Sequence, residues 1–552
     1  MPRLPDLTAL AAKALKLPSP AQRVRVTHEA DLVVSTPDGA RLLTDTWYPT
    51  DRPEAPVVLV RTPYGRGGAE KFLGGFLARH GFRVVIQSCR GTFGSTGPFV
   101  PFLTDADDAL ATVAWLRTQP WFAGKVATYG VSFAGYTAWS MAKNPPPELV
   151  AVIPVIAPMN PYSTLFPHGT MSAEVVLTWA SLMPDMPSRV KTLLNLKKLK
   201  RQVSAAALAM PPVNAYTQAT GGQRKDFVEA WLQHGPDSSF WTDLDLNAIL
   251  ETITVPTLLV GGWHDLYTAA TIGEFSRLRD RGVDTALLMT ATTHSGHIKE
   301  IATIYQHVIP WLNDAFAGHR CATAGNVTVQ EVGTGQWRSL SQWPPADTEL
   351  QQLHLQPGAT LASAPASPTG GSDTFRYDPA EPTPSIGGEL LSMSAKADNR
   401  PLAQRSDVLT YTAPTLGHDL LLGGVSQATL WWQCDGASFD VFVRLLDVAP
   451  DGRSTTITDA IRRVHTVEAG KPQQVTVEFP PTYARLAQGH RLQLLVAAGA
   501  HPRYLRNHGT ADPFTKADQA LPSVNTVHHD TAHPSALSLS VLPDNADTGG
   551  TA

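Results

Sequence analysis

Between residues 23 and 318, short and nearly continuous apolar runs alternate with amphipathic stretches, and no other feature of the chain restricts its fold so sharply. The runs are Pro56–Val60, Phe82–Ile86, Val126–Tyr129, Val150–Ile156, Thr257–Val260 and Ala286–Met289. Apolar residues at consecutive rather than alternate positions describe parallel strands buried on both faces. The stretches between them, such as Asp105–Thr118 and Thr268–Asp280, have helical periodicity. Strands alternating with helices imply a doubly wound α/β sheet. Two further β-like runs, Arg23–Val34 and Arg41–Tyr48, flank the turn Thr36-Pro37-Asp38-Gly39 ahead of it.

The alternation stops between about 160 and 248, where the sequence is helical, irregular and, over Lys191–Arg201, strongly basic. An insertion placed after the C-terminal end of a strand lies over the crevice where such sheets bind ligands, so residues 160–248 are expected to form a helical cap. Residues 23–159 and 249–318 then make up the α/β domain, behind a 1–22 extension. That extension carries Leu4, Leu7, Leu10, Ala14 and Leu15 at helical spacing, broken by charges and prolines. It reads as a short docking helix rather than a secretory signal. From 325 to 552 helical periodicity gives way to short alternating strands. They are Asn326–Val332, Leu350–Leu355, Asp407–Tyr411, Ala428–Gln433, Phe439–Asp447, Gln474–Phe479, Arg491–Ala497 and Ala536–Val541. Turns such as Pro450-Asp451-Gly452 separate them, a β-sandwich pattern. The Ala/Ser/Pro/Gly stretch 358–372 is expected to be a loop inside this domain.

A chain of 552 residues exceeds one core, in keeping with this division. With 44 basic against 48 acidic residues, charge offers no reason to expect nucleic acid or an anionic membrane as a partner. No stretch is apolar enough to span a bilayer. The three cysteines, Cys89, Cys321 and Cys434, are far apart, which fits reduced thiols and a cytoplasmic location. A homo-oligomer is compatible with the sequence.

Chemistry concentrates at Gly130-Val131-Ser132-Phe133-Ala134-Gly135, which follows one apolar run and opens a helical pattern. A nucleophile elbow needs this context, a sharp strand-to-helix turn with small neighbours, so that the serine projects its Oγ. Ala134 stands at the usual second glycine position and Gly135 follows it. Serine requires a base, and the base a carboxylate to orient it, in the chain order Ser, acid, His at later strand ends. Thr257–Val260 runs into Gly261-Gly262-Trp263-His264-Asp265, and Ala286–Met289 into Thr290-Ala291-Thr292-Thr293-His294. Asp265 and His294 therefore fall where the chemistry needs them. Asp280 and Asp284 compete as acids but lie in a helix-to-strand turn at the opposite sheet edge. His264 and His297 compete as bases, and each reads as a solvated loop residue. The backbone N–H of Phe133 is one oxyanion donor by geometry. The second is sought in Arg61-Thr62-Pro63-Tyr64-Gly65 after an early strand, where Tyr64 carries a phenol.

On these residues the chain resembles the cocaine-esterase-like (CocE/NonD) hydrolases, relatives of X-Pro dipeptidyl-peptidases and α-amino-acid ester hydrolases. The resemblance rests on Arg61-Thr62-Pro63-Tyr64, Ser88-Cys89-Arg90-Gly91 with Gly94-Ser95-Thr96-Gly97, Gln119-Pro120-Trp121, the elbow, Gly262-Trp263-His264-Asp265 and Thr293-His294-Ser295. Downstream it rests on Tyr377-Asp378-Pro379, Gly387-Gly388, Arg405–Leu409 and His529–Ser535. It implies an α/β-hydrolase fold with an inserted helical cap, then an all-β jelly-roll (galactose-binding-like) domain. It also implies a Ser132–Asp265–His294 triad and an oxyanion hole from the Tyr64 hydroxyl and the Phe133 amide. The chain departs from the family where Phe133 replaces Tyr, Cys89 replaces Asp and Thr292 replaces Trp. Phe166 falls where relatives place an aromatic pocket wall, and Trp263 and Tyr267 flank the acid as further pocket candidates.

The expected activity is hydrolysis of small carboxylic esters through an acyl-enzyme on Ser132, with no cofactor. One alternative is an X-Pro dipeptidyl-peptidase-like enzyme, α-amino-acid ester hydrolase or acylase, whose substrates carry an ammonium needing pocket carboxylates. Around Asp265 the sequence shows Trp263, Leu266 and Tyr267 but no spare acid. Another is a carbohydrate-binding or scaffolding protein with a vestigial site. His294–His297 and His528-His529-Asp530 with His533 hold ligand residue types. Neither has the helical spacing of zinc hydrolases, so no metal is expected.

Overall fold

The computed structural model describes residues 7–183, 189–366, 368, 371–389, 391, 397–466, 468–513 and 515–543, and of 7 and 189–194 the backbone only. The first sheet comprises β1 (Val26–Ser35), β2 (Arg41–Pro49), β3 (Val57–Thr62), β4 (Arg83–Ser88), β5 (Val126–Val131), β6 (Leu149–Val155), β7 (Thr257–His264), β8 (Thr285–Thr293), β9 (Val327–Gln330) and β10 (Trp337–Leu340). Their order is β1-β2-β4-β3-β5-β6-β7-β8-β9-β10. From β4 through β9 all neighbours run parallel, with antiparallel strands at both edges. Every residue of β3, β4 and β7 is buried. Burial on both faces is why these segments are apolar at consecutive positions. Val57 and Leu59 pack with the helices Asp105–Arg117, Phe133–Ser140 and Thr268–Asp280. Val58 and Val60 pack on the other face with Gly68–Arg79 and Ile301–Ala317. The N-terminal helix Leu7–Ala14 docks on Gly68–Arg79.

One strand read as opening the β domain belongs elsewhere. Within Asn326–Val332, β9 pairs parallel with β8 and extends the first sheet. Its alternation is genuine, but its polar face is buried too, because Gln330 finds partners there. The side chain accepts from the Ala291 N–H at 2.9 Å, and the backbone carbonyl accepts from the indole of Trp263 at 2.8 Å. A buried polar side chain with satisfied hydrogen bonds costs little.

Between β6 and β7 the chain forms the helices Pro161–Leu165, Ala173–Leu182, Arg189–Ala206, Ala215–Ala219, Asp226–Gln233 and Ser239–Leu244. They enclose an apolar core of their own, joined by Leu505 from the C-terminal region and flanked by Tyr64, Phe99 and Phe102. The segment carrying Leu505 clamps the insertion. Its N–H donates to Met171 carbonyl at 2.8 Å, and Arg506 donates to Leu208 carbonyl at 2.7 Å.

The remaining strands, from Glu349–Gln356 to Ala536–Leu542, form an antiparallel sandwich, and among the strands of the described residues one pairing in it is parallel, Thr360 beside Thr412. Its strand Gln427–Cys434 alternates buried residues with exposed or half-buried ones and pairs with Gln473–Glu478, Ser523–His528 and Ala536–Leu542. The stretch 358–372, expected as loop, contributes the short strand Thr360–Ala362, while 367, 369 and 370 lie outside the described residues. Trp263 packs on Trp343 with ring centroids 5.1 Å apart and planes tilted by 36°, so one apolar cluster continues from the first sheet into the sandwich. Among the described residues, no helix is long and apolar enough to cross a membrane.

Candidate active site

Parallel register brings the C-terminal ends of β3, β5, β7 and β8 to one edge, and each carries a residue singled out above. Ser132 follows β5 at φ 61°, ψ −124°, in the left-handed region that a residue with a Cβ enters only at a cost of about 1–3 kcal/mol. Its N–H donates to Val155 carbonyl at 2.9 Å, and its own carbonyl accepts from Gly135 N–H at 2.8 Å. These bonds tie the turn to β6 and to the helix it opens. The small residues have separate tasks. A Cβ on Gly130 would collide with the Ala134 carbonyl, and one on Gly135 with the Ala157 side chain. Closeness to the neighbouring strand is needed at Gly135, which explains how Ala134 is accommodated.

β7 and β8 pair in parallel with His264 beside Thr293, so the residues that follow, Asp265 and His294, leave the sheet at one level. The His294 Nδ1–H donates to Asp265 Oδ1 at 2.7 Å, and His294 Nε2 lies 2.9 Å from Ser132 Oγ. Asp265 is wholly buried, His294 is 12% exposed at the side chain, and the second carboxylate oxygen accepts from the Tyr267 N–H at 3.0 Å. A carboxylate on Nδ1 selects the tautomer whose Nε2 lone pair faces the serine hydroxyl, and it stabilises an imidazolium. The four rival residues lie apart from this line. Asp280 ends a helix and Asp284 precedes β8, both at the opposite edge. His264 is not a solvated loop residue but the buried last position of β7, at 3% exposure. His297 is half-buried in the short helix His294–Glu300, donating from Nδ1 to His294 carbonyl at 2.7 Å.

Tyr64 sits on the loop after β3, half-buried against the insertion, and its N–H donates to Thr62 Oγ1 at 3.1 Å. A buried polar network under this loop holds β3 in place. The Arg61 guanidinium donates to Gln87 at 3.0 Å and approaches Asp105 at 3.3 Å and Asp108 at 3.7 Å. Burial pushes the Asp105 carboxyl up to about 6, against the pull of Arg61. Cys89 is buried beside this group, and burial raises its thiol well above the usual range. Phe133 opens the helix Phe133–Ser140, so its N–H has no intrahelical acceptor. Its ring stacks on Phe102 at 4.7 Å and on Trp179 of the insertion at 5.6 Å. That aromatic contact was not anticipated, because Trp179 lies in a helix whose partner the sequence does not name.

Of the pocket candidates, Tyr267 meets the His294 ring edge-on at 5.5 Å, and burial foremost, then Asp265 and Tyr64, raises its phenol. Phe166 stacks on Tyr162 at 5.2 Å. Both Phe166 and Tyr267 line a cavity of about 670 Å³. Trp263 does not. Its exposure is zero, and alternation along β7 turns it, like Leu259, into the core against Trp343.

The cavity borders Asp265 rather than Ser132, and the sandwich forms its far wall with Glu389, Leu391, Asp459 and Arg503. Arg503 bridges Glu389 at 3.0 Å and Asp459, which also pairs with Arg444 at 2.8 Å. Gly388, at φ 90°, brings the backbone so close to this network that a Cβ would collide with Asp459. Burial pushes the Glu389 carboxyl well up, and its Oε1 has no hydrogen-bond partner among the described residues. Ser295, beside His294, donates its hydroxyl to Leu391 carbonyl. A spare acid therefore does lie near Asp265, contributed by a segment 124 positions downstream that spacing around Asp265 could not reveal. The Gly387-Gly388 pair was the available signal.

Residues 38–296 match the family model of the X-Pro dipeptidyl-peptidase (S15 family), and 319–538 match the X-Pro dipeptidyl-peptidase C-terminal non-catalytic domain. The cocaine esterase of a Rhodococcus species is 28% identical over 93% of this chain and 98% of its own. An aminopeptidase from a marine sediment Thaumarchaeota archaeon superposes with a TM-score of 0.80 at 20% identity, covering 95% of this chain and 98% of that one. A CocE/NonD family hydrolase from Staphylococcus aureus superposes at 0.68 with 17% identity, covering 96% and 100%. The two family models, which between them take in most of 38–538, together with the full-length likeness to cocaine esterase, make this chain a CocE/NonD family hydrolase with an S15-type catalytic domain and the matching C-terminal domain.

Proposed function

We propose that the protein hydrolyses small carboxylic esters through an acyl-enzyme on Ser132. The observation that carries this reading is the unbroken hydrogen-bonded line Asp265–His294–Ser132, with the serine in the left-handed elbow. His294 Nε2 takes the hydroxyl proton as Oγ attacks the ester carbonyl, and the same nitrogen returns it to the leaving alcohol. Water, deprotonated by the same base, then releases the acid. The Phe133 N–H and the Tyr64 hydroxyl are the proposed donors to the tetrahedral oxyanion.

Tyr64→Phe tests the second donor. Removing a hydroxyl that acts only on transition-state charge is expected to lower kcat about 10²- to 10³-fold with KM nearly unchanged. A tyrosine serving only to pack against the insertion would instead shift the melting curve and leave kcat within about threefold, less than ~0.7 kcal/mol of barrier.

A second reading, cleavage of substrates with a free α-ammonium, is favoured by Glu389 and Glu174, which both line the cavity that borders Asp265, and the buried Glu389 Oε1 has no hydrogen-bond partner among the described residues. Rates on p-nitrophenyl esters of increasing acyl length, set beside aminoacyl esters and amides and Xaa-Pro amides, separate the readings. Under the ester reading neutral acyl esters are the best substrates, and Glu389→Gln changes all rates alike. Preference for the ammonium substrates, lost by about 10- to 100-fold in Glu389→Gln, overturns it in favour of the second.

A further inference from the structure

The turn between the strands Ser523–His528 and Ala536–Leu542 gathers His528, Asp530 and His533. One ligand atom from each lies within 4.8 Å of the others. The Asp530–His533 separation and the spacing of the two rings match those of groups sharing one tetrahedral ion, and His528 lies within reach of the other two. With metal–ligand bonds of about 2.0–2.1 Å, two tetrahedral ligand atoms stand about 3.3 Å apart, and two bound imidazole rings have centroids about 5.3 Å apart. His533 Nδ1 is 3.3 Å and 3.4 Å from the two oxygens of Asp530, and the rings of His528 and His533 are 5.3 Å apart.

The surroundings are built to hold these groups still. Asp530 Oδ1 accepts from the N–H groups of Ala532 at 2.7 Å and His533 at 2.8 Å, which locks the turn around the carboxylate. His528 Nε2 lies 2.9 Å from Gln433 Oε1. An amide oxygen only accepts, so that bond puts the proton on Nε2 and leaves a lone pair on Nδ1. A metal-bound imidazole is oriented in the same way by a partner on its far nitrogen. Trp431 meets the His533 ring edge-on at 5.0 Å. The three groups keep a path to solvent, since each is only partly buried, and a water would complete a fourth position.

We propose that His528, Asp530 and His533 bind a first-row divalent cation, with Zn²⁺ the best match, which clips the end of one sandwich strand to the turn that leads into the next. Two nitrogens and one carboxylate suit zinc, and are a poor set for calcium or magnesium, which take oxygen ligands. Both flanking strands pair with Gln427–Cys434, so the clip would secure that side of the sandwich.

The test uses the full chain, freed of any histidine tag and stripped with EDTA, titrated with Zn²⁺ by calorimetry and melted with and without the metal. One equivalent is expected to bind with a dissociation constant on the order of micromolar and to raise Tm by a few degrees. His533→Ala and Asp530→Asn should each weaken binding at least ~100-fold, and Gln433→Leu about 10-fold. Asparagine keeps the turn-locking acceptor, and equal Tm values in EDTA show that the variants fold. Absence of binding at about 1 mM zinc overturns the proposal. So does binding that survives both His533→Ala and Asp530→Asn, or a preference for Ca²⁺ over Zn²⁺.

Discussion

Ser132→Ala is expected to lower turnover of any ester substrate on the order of 10⁴- to 10⁶-fold and to abolish covalent labelling by a fluorophosphonate. The elbow holds one hydroxyl at the end of β5, and His294 Nε2 points at it from 2.9 Å. Nothing else within the turn Gly130–Gly135 can form an acyl-enzyme. Alanine also relieves no packing, because Ser132 is only partly buried, so the melting temperature should stay within about a degree or two. Loss of activity with a preserved melting curve is therefore the signature of the nucleophile. Full turnover in the purified variant would mean that the acyl group is carried elsewhere.

The second large effect is His294→Ala, set against His297→Ala. Removing His294 takes away the proposed base and strands the buried Asp265 carboxylate, whose Oδ1 loses its charge-capable partner. A fall in kcat of about 10³-fold or more is expected. His297 donates to the His294 carbonyl, so it shapes the short helix without reaching the serine. Its removal should cost about 1 kcal/mol of stability and leave kcat within about threefold. The reverse order of effects, read from steady-state kinetics on both variants, would make His297 the base and dissolve the hydrogen-bonded line as a catalytic unit.

Much of this site was legible in the sequence because its parts are local. A strand signal followed by a glycine-flanked serine and a helix signal specifies an elbow within about ten residues. An apolar run ending in Asp265 or His294 places that residue at the edge of a parallel sheet before its neighbours are known. The strands β3 to β8 announced themselves because burial on both faces leaves room for little but apolar side chains.

Legibility failed where partners are distant and polar. The strand Ser454–His465 carries Asp459 and an Arg-Arg pair and has no clean apolar alternation. Asp459 is nonetheless wholly buried there, because Arg444 and Arg503 neutralise it from two other segments. The same network sets Glu389 beside Asp265, so the missing pocket acid comes from the sandwich. Spacing along the chain does not announce that His528, Asp530 and His533 meet, because it is a locked turn that brings them together. By itself, then, the sequence determined the α/β sheet, its elbow and the chain order in which Ser132, Asp265 and His294 leave the strand ends, since each depends on residues adjacent in the chain. The tertiary structure alone decided which charges could be buried and what walls the cavity beside the acid. A charged side chain is tolerated inside only when its counter-charge arrives, and for these residues it arrives from strands far away along the chain.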